Sequence, residues 1–272
     1  MKNNPDETKK DLQSEESQVE HSENRDHYHD QKHFDVKGNV DYITRDEFKM
    51  RNHFKYSRKN LILKISMTSV FLALSVVAAA IDMGLEILAV PIGQLRLPTR
   101  FFDMIIIFLS LPIVGPVFAM LIAFVEPWIH LLIDPHHLPL QILVDSITNL
   151  IVVFTTWFVF YILFKNSPIH KEPNKKKDLL KRTPPLVIML FVASIIATAL
   201  FVFVLYIQDK NMVVDDHARH DHGHEEGQIT WDNFNWTVIG VVLGMNFLRF
   251  AIAYTVFFLV EIRMRPINHR YR

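Results

Sequence analysis

Arg249 sits near the middle of an apolar run from Trp236 to Ile262, and no other feature of the chain constrains its fold as strongly. The run reads WTVIGVVLGMNFLRFAIAYTVFFLVEI. At about 1.5 Å of rise per residue, a helix of that length crosses a hydrocarbon core of roughly 30 Å. Lipid offers the backbone no hydrogen-bond partners, so the run must be helical. A guanidinium deep in such a helix costs roughly 2.5–3.5 kcal/mol on insertion scales. Chains that keep one point it at a partner, a cavity or a ligand. Asn246 lies three residues earlier, so both polar groups share one helix face. The pair either ties helices together or faces a ligand, and intramembrane charge favours the second role.

The overall charge is balanced, with 29 basic and 29 acidic residues, but the chain divides into two unlike parts. Residues 1–60 are polar and charged, whereas residues 61–262 are dominated by long apolar runs. The first part cannot bury enough apolar surface to offset chain entropy, so most of it is expected to be a disordered cytoplasmic arm, with a short helix allowed around Asp46–Tyr56. The first apolar run begins only at Leu61, too late for a signal peptide. The lack of cysteine excludes disulfides, thiolate catalysis and thiolate metal sites.

Six membrane segments are expected: Leu61–Ile81, Phe102–Pro112, a third running from the Gly115-Pro116 pair to about Ile133, Leu140–Phe164, Pro185–Ile207, and the Arg249 helix. The second is too short to span alone and needs its ends buried in protein or facing a cavity. The fold class is therefore all-α integral membrane, with a six-helix domain over residues 61–266 and a basic tail at 267–272. Loop charge sets the orientation. Lys165, Lys171, Lys175, Lys176, Lys177, Lys181 and Arg182 crowd one loop, Arg263, Arg265, Arg270 and Arg272 the tail, and Arg58 and Lys59 the approach to the first span. Gln208–Asn233 is acidic instead, with only Lys210 and Arg219. The positive-inside rule puts both termini in the cytoplasm and the loops Asp82–Arg100, Asp134–Pro139 and Gln208–Asn233 outside.

The layout of a basic leader, a first span KISMTSVFLALSVVAAA, an outer loop ending LRLPTRFFD, and a short helix before a Gly-Pro resembles the substrate-binding S components of energy-coupling-factor (ECF) vitamin transporters. The similarity covers about Leu61–Pro266 and is strongest to the riboflavin-binding S component. That protein's Phe-x-Asp opening helix two is matched by Phe101-Phe102-Asp103, and its Gly-Pro opening helix three by Gly115-Pro116. Its helix-four asparagine is matched by Asn149, ahead of Leu163-Phe164-Lys165, and its flavin-contacting Asn-x-x-Lys by Asn246-Phe247-Leu248-Arg249. Three positions depart from the pattern. Arginine, a planar fork, replaces lysine at 249; Glu126-Pro127 stands where Lys-Asn is common; and Gly244-Met245 replaces a proline before the asparagine. The resemblance implies a vitamin-binding subunit that works with a transmembrane coupling subunit and two ATPase subunits. It also implies a substrate site of Asn149, Asn246, Arg249, Phe101, Phe102 and Asp103. Ser69 and Ala73, one turn apart on the first span, would form the coupling-subunit docking face, since small residues at that spacing let helix backbones approach. Ser75 and Ala79 repeat the spacing, and ordinary internal packing is the competing account.

Other clusters point elsewhere. The loop DDHARHDHGHEEG offers His217, His220, His222 and His224 among carboxylates, ligands suited to zinc, nickel or cobalt. Its spacing defines no site, and His21, His27, His29 and His33 in the arm show the same compositional bias on the other membrane side. His130, Asp134, His136 and His137 gather at the outer end of the third span as a ligand group or a helix-end cap. Glu126 and Asp145 are candidate ion-pair partners for Arg249. No GxxxxGK[ST], GxSxG or HExxH motif occurs, which argues against an enzyme and assigns any ATP-driven step to other subunits. No cofactor and no nucleic acid is expected, only a bound micronutrient and membrane lipid. Import of a divalent metal through the histidine loop, or a non-transport membrane scaffold, are the alternative functions.

Overall fold

Polar groups at helix ends, rather than apolar burial alone, decide how these helices assemble, because lipid removes the hydrophobic drive between them. The computed structural model describes residues 27–29, 32–34, 40–41, 48–86, 90–92, 95–97, 101–133, 139–169, 175–215 and 236–270. Its helices are α1 (Arg58–Glu86), α2 (Phe102–Val114), α3 (Pro116–Ile133), α4 (Pro139–Trp157), α5 (Lys175–Asp215) and α6 (Trp236–Arg270). A π-helical turn, Phe158–Leu163, extends α4, and one helical turn, Met50–His53, precedes α1. Among the described residues, five helices are long and apolar enough to cross a membrane, and α2, with 13 residues, is a shorter apolar helix. Short antiparallel ladders join β1 (His27–His29), β2 (Lys32–Phe34) and β3 (Val40–Asp41) in the arm. Another pairs β4 (Val90–Ile92) with β5 (Leu95–Leu97) between α1 and α2.

The helices pack as a ring in the order α1, α2, α6, α5, α4, α3, with α3 closing on α1 and α2 also touching α3 and α4. That position explains why α2 can be short: Met104, Ile107, Phe108, Leu111 and Val114 are all buried by its neighbours. Its aromatic seam runs from Phe108 to Tyr254 at 4.7 Å between ring centroids, and Phe160 meets Phe257 at 5.1 Å. Buried Tyr254 and Thr156 hydroxyls share a hydrogen bond of 2.8 Å, joining α6 to α4. The α2–α3 junction turns at Gly115, whose φ of 80° lies where a side chain is strained. Pro116 then opens α3, at a position where its missing N–H costs nothing.

Several boundaries differ from those read in the sequence. α1 continues to Glu86, so Asp82 belongs to a helix and is fully buried instead of standing in an outer loop. α5 already begins at Lys175, converting half of the Lys-rich loop into helix. α6 runs on to Arg270, and Asn268, expected in a free tail, donates 2.8 Å to the Pro112 carbonyl. Arg182 and Arg265, counted as loop and tail charges respectively, are 2% and 1% exposed. They form a closed cluster with two acids. Arg182 reaches Glu261 at 2.5 Å and Asp178 at 3.1 Å, and Arg265 reaches Asp178 at 2.9 Å. Two cations against two anions offset the desolvation that either sign alone would suffer. Of the arm, the three strands and residues 48–57 are described, so the expectation of disorder for its remainder lies outside the described residues.

Candidate functional site

The cap on α2 organises the site. Asp82 Oδ1 accepts the backbone N–H groups of Phe101 and Phe102 at 3.0 and 3.1 Å, and Oδ2 accepts that of Asp103 at 3.0 Å. A carboxylate at this position satisfies donors that a helix start leaves unpaired and complements its positive dipole end. The cap thereby fixes Phe101 and Asp103 at the mouth of a cavity of about 110 Å³. Sequence reasoning missed Asp82, which looked like the first residue of a loop. No local capping pattern announces it, since it acts from the preceding helix, 19 to 21 positions upstream.

Asp103 in turn forms an ion pair with Arg249, joining the start of α2 to the middle of α6. The guanidinium thus pairs with a carboxylate that the sequence offered as a site residue and not as an ion-pair partner. The reason is geometric: α2 packs along α6, and the Asp82 cap aims its first turn at that helix. Glu126 and Asp145 nevertheless line the same cavity and act electrostatically on Arg249, as does Asp82.

Five of the six expected substrate residues meet here: Phe101, Asp103, Asn149, Asn246 and Arg249 all line the cavity. Asn149 is 4% exposed, and Asn246 donates 3.1 Å to the Thr198 hydroxyl of α5. Phe102 does not join them; it is exposed at 37% and contributes only its N–H to the cap. Residues absent from the sequence reading complete the wall, notably Gln141, Thr148 and Phe201. Pro127, beside Glu126, leaves a backbone carbonyl of α3 without its helical donor at this level. The cavity wall therefore combines amide groups, one guanidinium, three carboxylates and aromatic surface, a set chemically suited to hydrogen bonding and stacking with a small polar molecule.

The other candidates separate cleanly. On α1, Ser69 and Ala73 are exposed, whereas Ser75 and Ala79 are both 0% exposed and pack inward. His130 is buried near the C-terminal end of α3, while Asp134, His136 and His137 lie outside the described residues. So do His217, His220, His222 and His224. Among the described residues no group of three or more metal-ligating side chains is gathered.

The fold and cavity define a multi-pass membrane protein with a polar site inside its helix ring. The family model described as "ECF transporter, substrate-specific component" matches residues 63–261, and the chain belongs to that family. Its members are membrane transport subunits, not enzymes. The chain is 28% identical over 160 residues to "Uncharacterized protein MG147" of Mycoplasma genitalium, covering 55% of this chain and 42% of that protein. It is 26% identical over 136 residues to the MG147 homolog of Mycoplasma pneumoniae, covering 50% and 33% respectively. The chain thus spans less than half the length of these curated relatives. No solved structure matches it.

Proposed function

We propose that this protein is the substrate-binding subunit of an ATP-driven micronutrient importer and that riboflavin or a related vitamin is its cargo. The observation that carries the reading is the convergence of Asn149, Asn246, Arg249, Asp103 and Phe101 on one intramembrane cavity. The two amides can bond both edges of a planar heterocycle, the guanidinium a carbonyl, and Phe101 its face. A cavity of about 110 Å³ is smaller than the roughly 300 Å³ at which vitamin-sized ligands are usually held, so entry must widen it. The Arg249–Asp103 pair is the group to yield, because a ligand carbonyl can replace the carboxylate on the guanidinium. Capture takes place on the outer side, with both termini cytoplasmic, and Ser69 and Ala73 dock a transmembrane coupling subunit that is served by two ATPase subunits.

A second reading rests on the charge of the same wall. Asp103, Glu126 and Asp145 face a single guanidinium, an arrangement that also suits a cationic nutrient. Mass spectrometry of small molecules released from the purified protein separates the two. A co-purified flavin, with riboflavin fluorescence quenched on titration, supports the first reading. Tight binding of a cationic ring without flavin binding replaces it with the second. Failure to bind any organic ligand, with uptake of zinc, nickel or cobalt instead, removes both.

A further inference from the structure

A second cavity, of about 420 Å³, lies at the opposite end of α2 from the first. Its walls come from the helical turn before α1, the first residues of α1, the α2–α3 junction and the end of α4, so it opens at the end of the bundle that carries Lys55, Arg58 and Lys59. Lys64 is its principal charge. The ammonium sits 4.2 Å from the centroid of the Tyr56 ring, and no carboxylate lines the cavity among the described residues. A β-carbon at Gly115 would stand 2.9 Å from the Lys64 Nζ, so the glycine is required both by its backbone angle and by the room it leaves the ammonium.

Two further donors and a helix end face the same space. Trp157 is fully buried, lines the cavity, and its indole N–H has no hydrogen-bond partner. The Tyr56 hydroxyl is likewise buried and without a partner. Burial pushes the Tyr56 phenol up, so that its proton stays available to donate. Gly115 and Pro116 also lie in the wall, which brings the positive dipole end of α3 to the site. A buried indole N–H left unsatisfied is costly, and a cation without a counter-charge in a donor-lined pocket needs an anion.

We propose that this cavity binds a phosphate group, as a phosphodiester or phosphomonoester, with Lys64, Trp157 and Tyr56 as its donors. Four acceptor oxygens in a tetrahedron match donors arriving from three directions. The flanking apolar wall, with Leu63 and Ile113 inside and Ile62 exposed beside it, fits the glycerol and acyl base of a phospholipid. The same phosphate chemistry is offered by a soluble glycerol phosphate.

The test uses the full chain purified in detergent. Native mass spectrometry would compare retention of phosphatidylglycerol with phosphatidylcholine, and calorimetry would follow glycerol 3-phosphate at constant ionic strength. Wild type should retain phosphatidylglycerol preferentially, and both Lys64→Gln and Trp157→Phe should weaken that retention about tenfold, as loss of a charge-assisted or buried hydrogen bond implies. Lys64→Arg should restore it. Lys64-dependent binding of glycerol 3-phosphate, with no preference between the lipids, keeps the phosphate site and assigns it a soluble ligand. If a variant does not fold, wild type still decides the matter: neither lipid preference nor glycerol 3-phosphate binding overturns the proposal. Unchanged binding in Lys64→Gln overturns it as well.

Discussion

Replacing Arg249 by alanine should cost folding stability as well as ligand affinity, and a second substitution should return most of the stability. Arg249 is 20% exposed and Asp103 5%, so their ion pair is largely shielded from water. Removing one member of such a pair typically costs about 3–5 kcal/mol, because the other charge is left uncompensated. Here the penalty falls at the upper end, since Asp103 would remain beside Asp82, Glu126 and Asp145 with its cation gone. At roughly 2–4 °C per kcal/mol for a domain of this size, the melting temperature should fall by about 10–20 °C. Arg249→Ala combined with Asp103→Asn removes the stranded charge, and it should recover at least half of that loss. Ligand affinity should follow a different pattern. It drops roughly ten- to a hundredfold in Arg249→Ala, as expected for a lost charge-assisted hydrogen bond, and is not recovered in the double variant. Thermal melts in detergent and riboflavin fluorescence titration on all four members of the cycle give both quantities. A double variant no more stable than Arg249→Ala would show that the pair is not the source of the cost. Normal binding in Arg249→Ala would remove the guanidinium from the site.

Asp82→Ala should destabilise by about 2–4 kcal/mol and also weaken ligand binding, because the cap holds the α2 residues of the site; a variant with normal melting and normal affinity would contradict its capping role. Leucine at both Ser69 and Ala73 should leave ligand binding intact in the isolated protein yet abolish uptake by the assembled complex, since bulk on an exposed small-residue face keeps helix backbones apart; undiminished co-purification with coupling subunits would move docking elsewhere. Deleting Asp215–Glu226 and rejoining the ends with a short Gly/Ser linker should preserve vitamin uptake, and calorimetry should find only weak, unselective zinc, nickel and cobalt binding that disappears with the loop. A tight one-to-one metal site with metal-dependent uptake would reverse the order of the readings.

The spans and the crowding of polar groups around Arg249 could be read from the chain because hydropathy and membrane cost act locally. Asn149, Asn246 and Phe101 were legible through family spacing, and the cavity gathers them. What could not be read was pairing across helices. Asp103 stood out as a candidate site residue but not as a partner of Arg249, since its reach to the guanidinium depends on the packing of α2 against α6. Arg182 and Arg265 looked like loop cations because their neutralisers, Asp178 and Glu261, are each unremarkable in isolation. Phe102 shared a motif with its neighbours, yet the helix turn that aims Asp103 inward sends this ring outward.

The last helix carries an implication for the order in which the chain is made. α6 supplies Arg249 to Asp103, Glu261 to Arg182, Arg265 to Asp178, and Asn268 to the Pro112 carbonyl. Each partner belongs to a helix that leaves the ribosome earlier. Until α6 arrives, Asp103 must stay hydrated at the interface or in a water-filled gap, and Arg182 has only Asp178 of its own helix to set against it, because lipid offers them nothing else. The nascent bundle is therefore held ajar by its own charges, and synthesis of α6 closes it at both ends of α2 and at the foot of α5. A chain halted before α6 would present these charges to membrane quality control.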